Sequence, residues 1–216
     1  MNKFINTQFS WWLLIIAIVG DFVVPYILAN FYKGYNHKTM VMSVLGNPNS
    51  PVRIYYNIWL VLLGIFLIIG SANLYRQYSS CSKNLSITVF VFIVIFAIGA
   101  GILSGAFSVN ESKEIESIAS QIHGIGSALG FMALLFVPLL LSILSFKMKD
   151  WTTAVICLVS FTLALIFFVL FIMSDKSHFQ YTIIANEGIW QRLTLLFMYI
   201  PLGYIAILKI VDYIKK

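Results

Sequence analysis

Eight polar residues stand where an otherwise apolar chain has little reason to place them. Asp21 lies about ten residues, or roughly 15 Å of helix, past the start of the run Trp11 to Tyr32. An ionised carboxylate at that depth costs about 2.5 to 3.5 kcal/mol on insertion scales, so the side chain is expected to face other helices, protonated or paired. Such a residue reads as a protonatable binding site; the structural alternative is an acid that locks helix packing through one hydrogen bond. Pro25, one turn later, is expected to kink the helix and free a backbone carbonyl. In Asn186-Glu187-Gly188-Ile189-Trp190-Gln191-Arg192-Leu193-Thr194, the residues Glu187, Gln191 and Thr194 fall on one helical face. Arg192, deeper than an ordinary anchor, would need an acid if it turned inward, and Glu187 and Asp21 are the candidates. Otherwise it snorkels to the interface while Glu187 caps the helix.

His123 and Ser127 share a helical face with Gly130, so an imidazole that changes charge near neutral pH and a hydroxyl could open together as a base or proton relay. A polar anchor is the plainer reading of the histidine. Arg53 and Asn57 head another apolar run. The expected arrangement is a polar pocket built by several helices. No HExxH, GxSxG, phosphate-loop or dinucleotide pattern occurs. His37, His123 and His178 match no local ligand spacing, so neither metal nor cofactor is expected.

The elements that must position these side chains are membrane helices. Of 216 residues, 60% are hydrophobic and 10% charged, against about 25% charged in a soluble domain. The apolar residues gather into runs near the roughly 20 residues that span a bilayer. Six are read: 11–32, 55–75, 87–107, 122–146, 151–173 and 189–211. The fold class is therefore all-α: a polytopic membrane protein, one bundle of six transmembrane helices, with membrane lipids as its constant partners. The first run lacks a clear cleavage site and is read as a retained helix. The net charge of +6 is spread over every linker rather than gathered in a stripe, which argues against nucleic acid and for anionic lipid.

Six spans place both termini on one side. Putting them inside gives eight basic residues inside (Lys3, Arg76, Lys83, Lys147, Lys149, Lys209, Lys215, Lys216) against six outside (Lys33, Lys38, Arg53, Lys113, Lys176, Arg192). The positive-inside rule then favours cytoplasmic termini in a cell membrane. Trp11, Trp12 and Trp151 would mark the inner interface, and Trp59 and Trp190 the outer one. Gly101 and Gly105, like Gly126 and Gly130, form small-residue strips for close helix contact, within the chain or with a membrane protein partner or second copy. The stretch Glu111, Lys113, Glu114, Glu116 reads as a solvated loop. Cys81 and Cys157 should lie far apart, with no disulfide.

Ser43-Val44-Leu45-Gly46, then Asn47-Pro48-Asn49-Ser50-Pro51 and Asn57, then His123-Gly124-Ile125-Gly126, then Gly188-Ile189-Trp190-Gln191-Arg192 together resemble the prokaryotic membrane proteins of domain-of-unknown-function family 998. The resemblance spans nearly the whole chain. It implies a six-helix bundle with its characteristic residues at the outer ends of helices two, four and six, and no established activity. Asp21 is outside that pattern.

The expected function is binding or transport of a small molecule or lipid through a polar pocket in the outer half of the bundle. The candidate residues are Asp21, Arg53, Asn57, His123, Ser127, Glu187, Gln191 and Arg192. A membrane-embedded lipid hydrolase using His123 near Ser127, and an accessory or immunity-type protein acting through helix pairing, are the alternatives.

Overall fold

A computed structural model describes residues 7–108 and 117–215; the Glu111 to Glu116 stretch, Lys3 and Lys216 lie outside the described residues. Among the described residues, six helices are long and apolar enough to cross a membrane. They are α1 (Gln8–Ala29), α2 (Arg53–Tyr78), α3 (Lys83–Ala106), α4 (Ile118–Lys147), α5 (Trp151–Ser174) and α6 (Glu187–Ile214). The polar heads of α2, α4 and α6 begin a few residues before the apolar runs do, because Arg53, Gln121 and Glu187 enter the helix while still reaching polar surroundings.

Local chemistry sets the helix ends. Ser117 and Ser120 form a reciprocal capping box at the start of α4. Asp150 caps α5 through the Thr153 amide at 3.1 Å and its hydroxyl at 2.6 Å. Lys149 takes φ 61° in the tight turn between these two helices. Pro25 lies inside α1, which continues through it to Ala29; having no N–H, it leaves the Asp21 carbonyl without its i+4 donor.

Each helix packs against its neighbours in sequence, and α6 returns to α1, so the six form a closed ring. In hydrocarbon, where burial of apolar surface gives little drive, close backbone approach and dispersion hold such a ring together. The glycine strips serve this purpose inside the chain. Gly101 and Gly105 of α3 lie on α2, against Gly64 and the Asn57 carbonyl; Gly126 and Gly130 of α4 lie on α3, against Gly99 and Ala100. Contact within the chain, one of the two uses expected of these strips, is the one seen here. At this junction α3 changes to π-helix over Ala97–Leu103.

The connectors 30–52 and 175–186, with Phe107, Ser108 and Ser117, lie at the end of the ring opposite the start of α1 and the end of α6. Trp190 stacks on Phe167 near that end and donates its indole N–H to the Ile184 carbonyl at 2.8 Å. Trp59 is not an interfacial marker: its ring fills the space above Gly20 of α1. Trp11 is also buried, while Trp12 and Trp151 are exposed. Cys81 and Cys157 are free.

Candidate functional site

A cavity of about 400 Å³ opens in the connector-side half of the ring. Its walls are mainly apolar and aromatic: Leu60, Phe96, Phe131, Met132, Phe168 and Phe171. The polar groups are few, and five of them are residues singled out from the sequence: Asp21, His123, Ser127, Glu187 and Gln191. A large apolar pocket with a small number of converging polar groups is the usual form of a small-molecule site.

Asp21 is 3% exposed and accepts a hydrogen bond from the Tyr199 hydroxyl at 2.9 Å. Tyr199 comes from α6, on the far side of the ring closure, and Phe22 and Phe96 hold its ring edge to face. The buried Trp59 indole N–H interacts with the same carboxyl, outside strict hydrogen-bond geometry. The hydroxyl-bearing ring of Tyr56 lines the cavity beside Asp21. Tyr199 and Tyr56 were not singled out in the sequence, and Trp59 only as a marker of the outer interface. The available signal was position: Tyr199 lies two helical turns beyond Gln191 on the same face, and Tyr56 opens the buried face that continues through Leu60, Leu63 and Leu67.

On the opposite wall, His123 Nδ1 lies 2.9 Å from the Phe107 carbonyl. A carbonyl can only accept, so Nδ1 carries the proton and Nε2 of the neutral ring is left as an acceptor. Ser104 donates to the Gly99 carbonyl at 2.9 Å, within the π-helical turn. Having one proton, it must accept from Ser127, whose hydroxyl oxygen is 2.9 Å away. The Ser127 proton is therefore directed to Ser104, and His123 to a backbone carbonyl, so the two residues form no nucleophile-base pair.

The roof is built by the connector between α1 and α2. Val41, Met42 and Ser43 line the cavity, and the Met42 amide donates to Gln191 Oε1 at 2.7 Å. Arg192 fastens this strap. Its Nη1 donates to the carbonyls of Gly188 (2.8 Å), His37 (2.9 Å) and Met40 (3.2 Å), and its Nη2 to the Tyr35 hydroxyl at 2.7 Å. The expected pairing of Arg192 with Glu187 or Asp21 is not formed among the described residues. A guanidinium satisfied by fixed carbonyls needs no acid, and a folded-back connector supplies them. The Ile189 amide adds a bond to the Lys38 carbonyl at 3.1 Å. Burial, reinforced by the Arg192 charge, holds the His37 imidazole below its ordinary 6.5.

Arg53 and Asn57 stand apart from this cavity. Both donate to Ser108 Oγ at 3.1 Å, tying the head of α2 to the end of α3, and both line a separate surface groove with Gly105. Their role in the fold is a clamp behind the cavity wall.

On the lipid-facing side the cavity is open. Gly124, Ala128 and Met132 of α4 and Ile172 of α5 line it and are also exposed on the outside of the ring. The gap between α4 and α5 is thus a lateral opening, with the Phe131 and Phe171 rings, 6.1 Å apart, at its side.

The segments that carried the resemblance now have a common location: the strap and turn of residues 43–51, the head of α4 and the head of α6 all form the roof, walls or supports of the cavity. No curated protein and no solved structure matches the chain. One family matches residues 15–208, described as protein of unknown function (DUF998). With nearly the whole six-helix ring inside that match, the chain belongs to the DUF998 family of proteins of unknown function.

Proposed function

We propose that the protein binds an amphiphilic small molecule or lipid that enters sideways from the membrane, its apolar part against the aromatic walls and its polar part among Asp21, His123, Ser127, Glu187 and Gln191. The observation that carries this reading is the combination of a lipid-side opening with a polar interior in one cavity. A purely aqueous ligand would need an opening at the connector end, where the strap lies. Binding is the step on which transport by such a protein would rest. The orientation proposed is that of the basic-residue count, with termini in the cytoplasm and the cavity in the outer half of the cell membrane. A reporter active only in the cytoplasm, fused to the C-terminus, tests it; an inactive fusion in an otherwise well-inserted protein refutes it.

Met132 offers a direct test, because it is exposed on the lipid side and its replacement leaves the ring contacts intact. Met132→Trp should close the opening and abolish co-purification of amphiphiles, read by native mass spectrometry of protein released from micelles. Asp21→Asn should change what is bound while folded protein is still recovered. Unchanged ligand content in both variants refutes the reading. A hydrolase lacks support in the hydrogen-bond directions of His123 and Ser127, and an accessory role lacks it in the internal use of the glycine strips.

A further inference from the structure

The charge of the cavity is one-sided. Asp21 and Glu187 line it, whereas no lysine or arginine does among the described residues. Arg192 spends its donors on the strap, on the Gly188 carbonyl and on Tyr35, and none on Asp21. Asp21 is the more telling of the two acids. It is almost wholly buried in the wall, and the groups that approach its carboxyl, the Tyr199 hydroxyl and the Trp59 indole, are both neutral. A buried carboxylate is retained at low cost only when a cation or a proton neutralises it.

The remaining lining has the chemistry that accepts a cation. Tyr56, Phe96, Phe131, Phe168 and Phe171 present ring faces and edges around the same space, and aromatic faces attract ammonium groups, most strongly where water is excluded. A carboxylate with an aromatic surround, reached from the lipid side, selects an amine headgroup that carries an apolar chain.

We infer that the ligand of this cavity is a cationic amphiphile, a long-chain amine or ammonium compound whose nitrogen seats against Asp21. This inference rests on the lateral cavity being a binding site and adds the sign of the headgroup. An anionic lipid phosphate would meet the Asp21 carboxyl with no lysine or arginine among the described lining residues, and a neutral glyceride would leave Asp21 to be neutralised by a proton alone.

The test uses the full chain in non-ionic micelles and three probes of one chain length: a C16 primary amine, the C16 alcohol and the C16 sulfate. Binding is followed by calorimetry at neutral pH. The amine is expected to bind at least about tenfold more tightly than the alcohol, a gain of about 1.4 kcal/mol, and the sulfate least well. In Asp21→Asn the amine should fall to the level of the alcohol, whose own affinity stays the same. Should that variant fail to fold, the wild-type ranking of the three probes decides by itself, and Met132→Trp shows whether binding uses the cavity. An alcohol or sulfate that binds as tightly as the amine overturns the charge inference and leaves the cavity reading standing. Absence of binding by all three overturns both.

Discussion

Two glycines of α6 should respond in opposite directions to the same substitution, and the difference isolates the strap. Alanine is ordinarily the better helix residue by about 0.5 to 1 kcal/mol. At Gly203 the added methyl would meet only Ile18 Cδ1 at 3.8 Å, an ordinary van der Waals distance. Gly203→Ala should therefore stabilise by up to about that amount. At Gly188 the methyl would lie 2.5 Å from the His37 carbonyl oxygen and closer still to that of Met40. Both obstacles are backbone, and both carbonyls accept from Arg192, so relief requires the strap to move away from α6. Overpacking of this kind costs about 1 to 3 kcal/mol. Weakening even one bond to the charged guanidinium adds a loss of about 1.5 to 3 kcal/mol. The expected net effect of Gly188→Ala is a loss of about 2 to 4 kcal/mol in strap docking, an equilibrium change of at least about thirtyfold. Limited proteolysis within residues 33–50 reads that equilibrium directly, while unfolding in mixed micelles reads the whole ring. The cleavage rate should rise at least tenfold in Gly188→Ala and stay unchanged in Gly203→Ala. A Gly188→Ala protein as protected as the wild type would show that the strap is not seated on α6 as described.

Arg192→Lys should loosen the same strap, because one ammonium cannot reach three carbonyls and the Tyr35 hydroxyl in the planar fork that the guanidinium provides; a loss of about 1.5 to 3 kcal/mol in strap docking is expected, and wild-type hydrogen-exchange protection over residues 35–43 would contradict it. His37 gives a pH dependence. Its docked form holds a proton less readily than the free form, so the undocked strap binds more protons below 6.5 and docking is lost as pH falls through that value. Exchange protection of the strap should therefore decline between pH 7.5 and 5.5 and be flat in His37→Asn; equal slopes in both proteins would rule the histidine out. Tyr199→Phe removes the hydroxyl bond to Asp21 and leaves the Trp59 indole beside it, without changing ring packing, so amine binding should be retained or strengthened, since a carboxylate with one donor fewer gains more from a cation. Loss of amine binding in a folded Tyr199→Phe protein would mean that the hydroxyl itself orients the ligand.

The helices were legible because bilayer spans write themselves as long apolar runs, and the convergence of Asp21, His123, Ser127, Glu187 and Gln191 followed from one expectation, that polar side chains in such runs turn inward. What failed to show in the sequence depends on how connectors fold back. The partner of Arg192 is a set of backbone carbonyls, and any residue of the chain carries one, so no residue type at 37 or 40 announces it. Arg53 and Asn57 resembled the cavity residues in type and depth, yet a rotation of α2 aims them at Ser108 instead. The glycine strips were recognisable as close-contact faces, but a strip has the same appearance whether it meets a neighbour in the chain or another protein. Tyr56 and Tyr199 passed unnoticed because an aromatic residue in an apolar span looks like packing until the buried acid beside it is seen.

The π-helical turn of α3 carries a further consequence for sequence length. It holds one residue more than an α-helical path between the same two points would need, so the α-helical segments on either side of it are out of phase by about 100°, the rotation of a single residue. Phe96 and Ser104, on either side of the turn, both line the cavity, and the offset brings them nearly into line along one face. Removing one residue from Ala97–Leu103 would close the bulge and leave a continuous α-helix in which Phe96 and Ser104 stand seven residues apart and still share a face. A single-residue deletion inside this segment should therefore leave the wall of the site in place, whereas one deletion in the α-helical part of α3 outside it would turn the residues beyond it by about 100°.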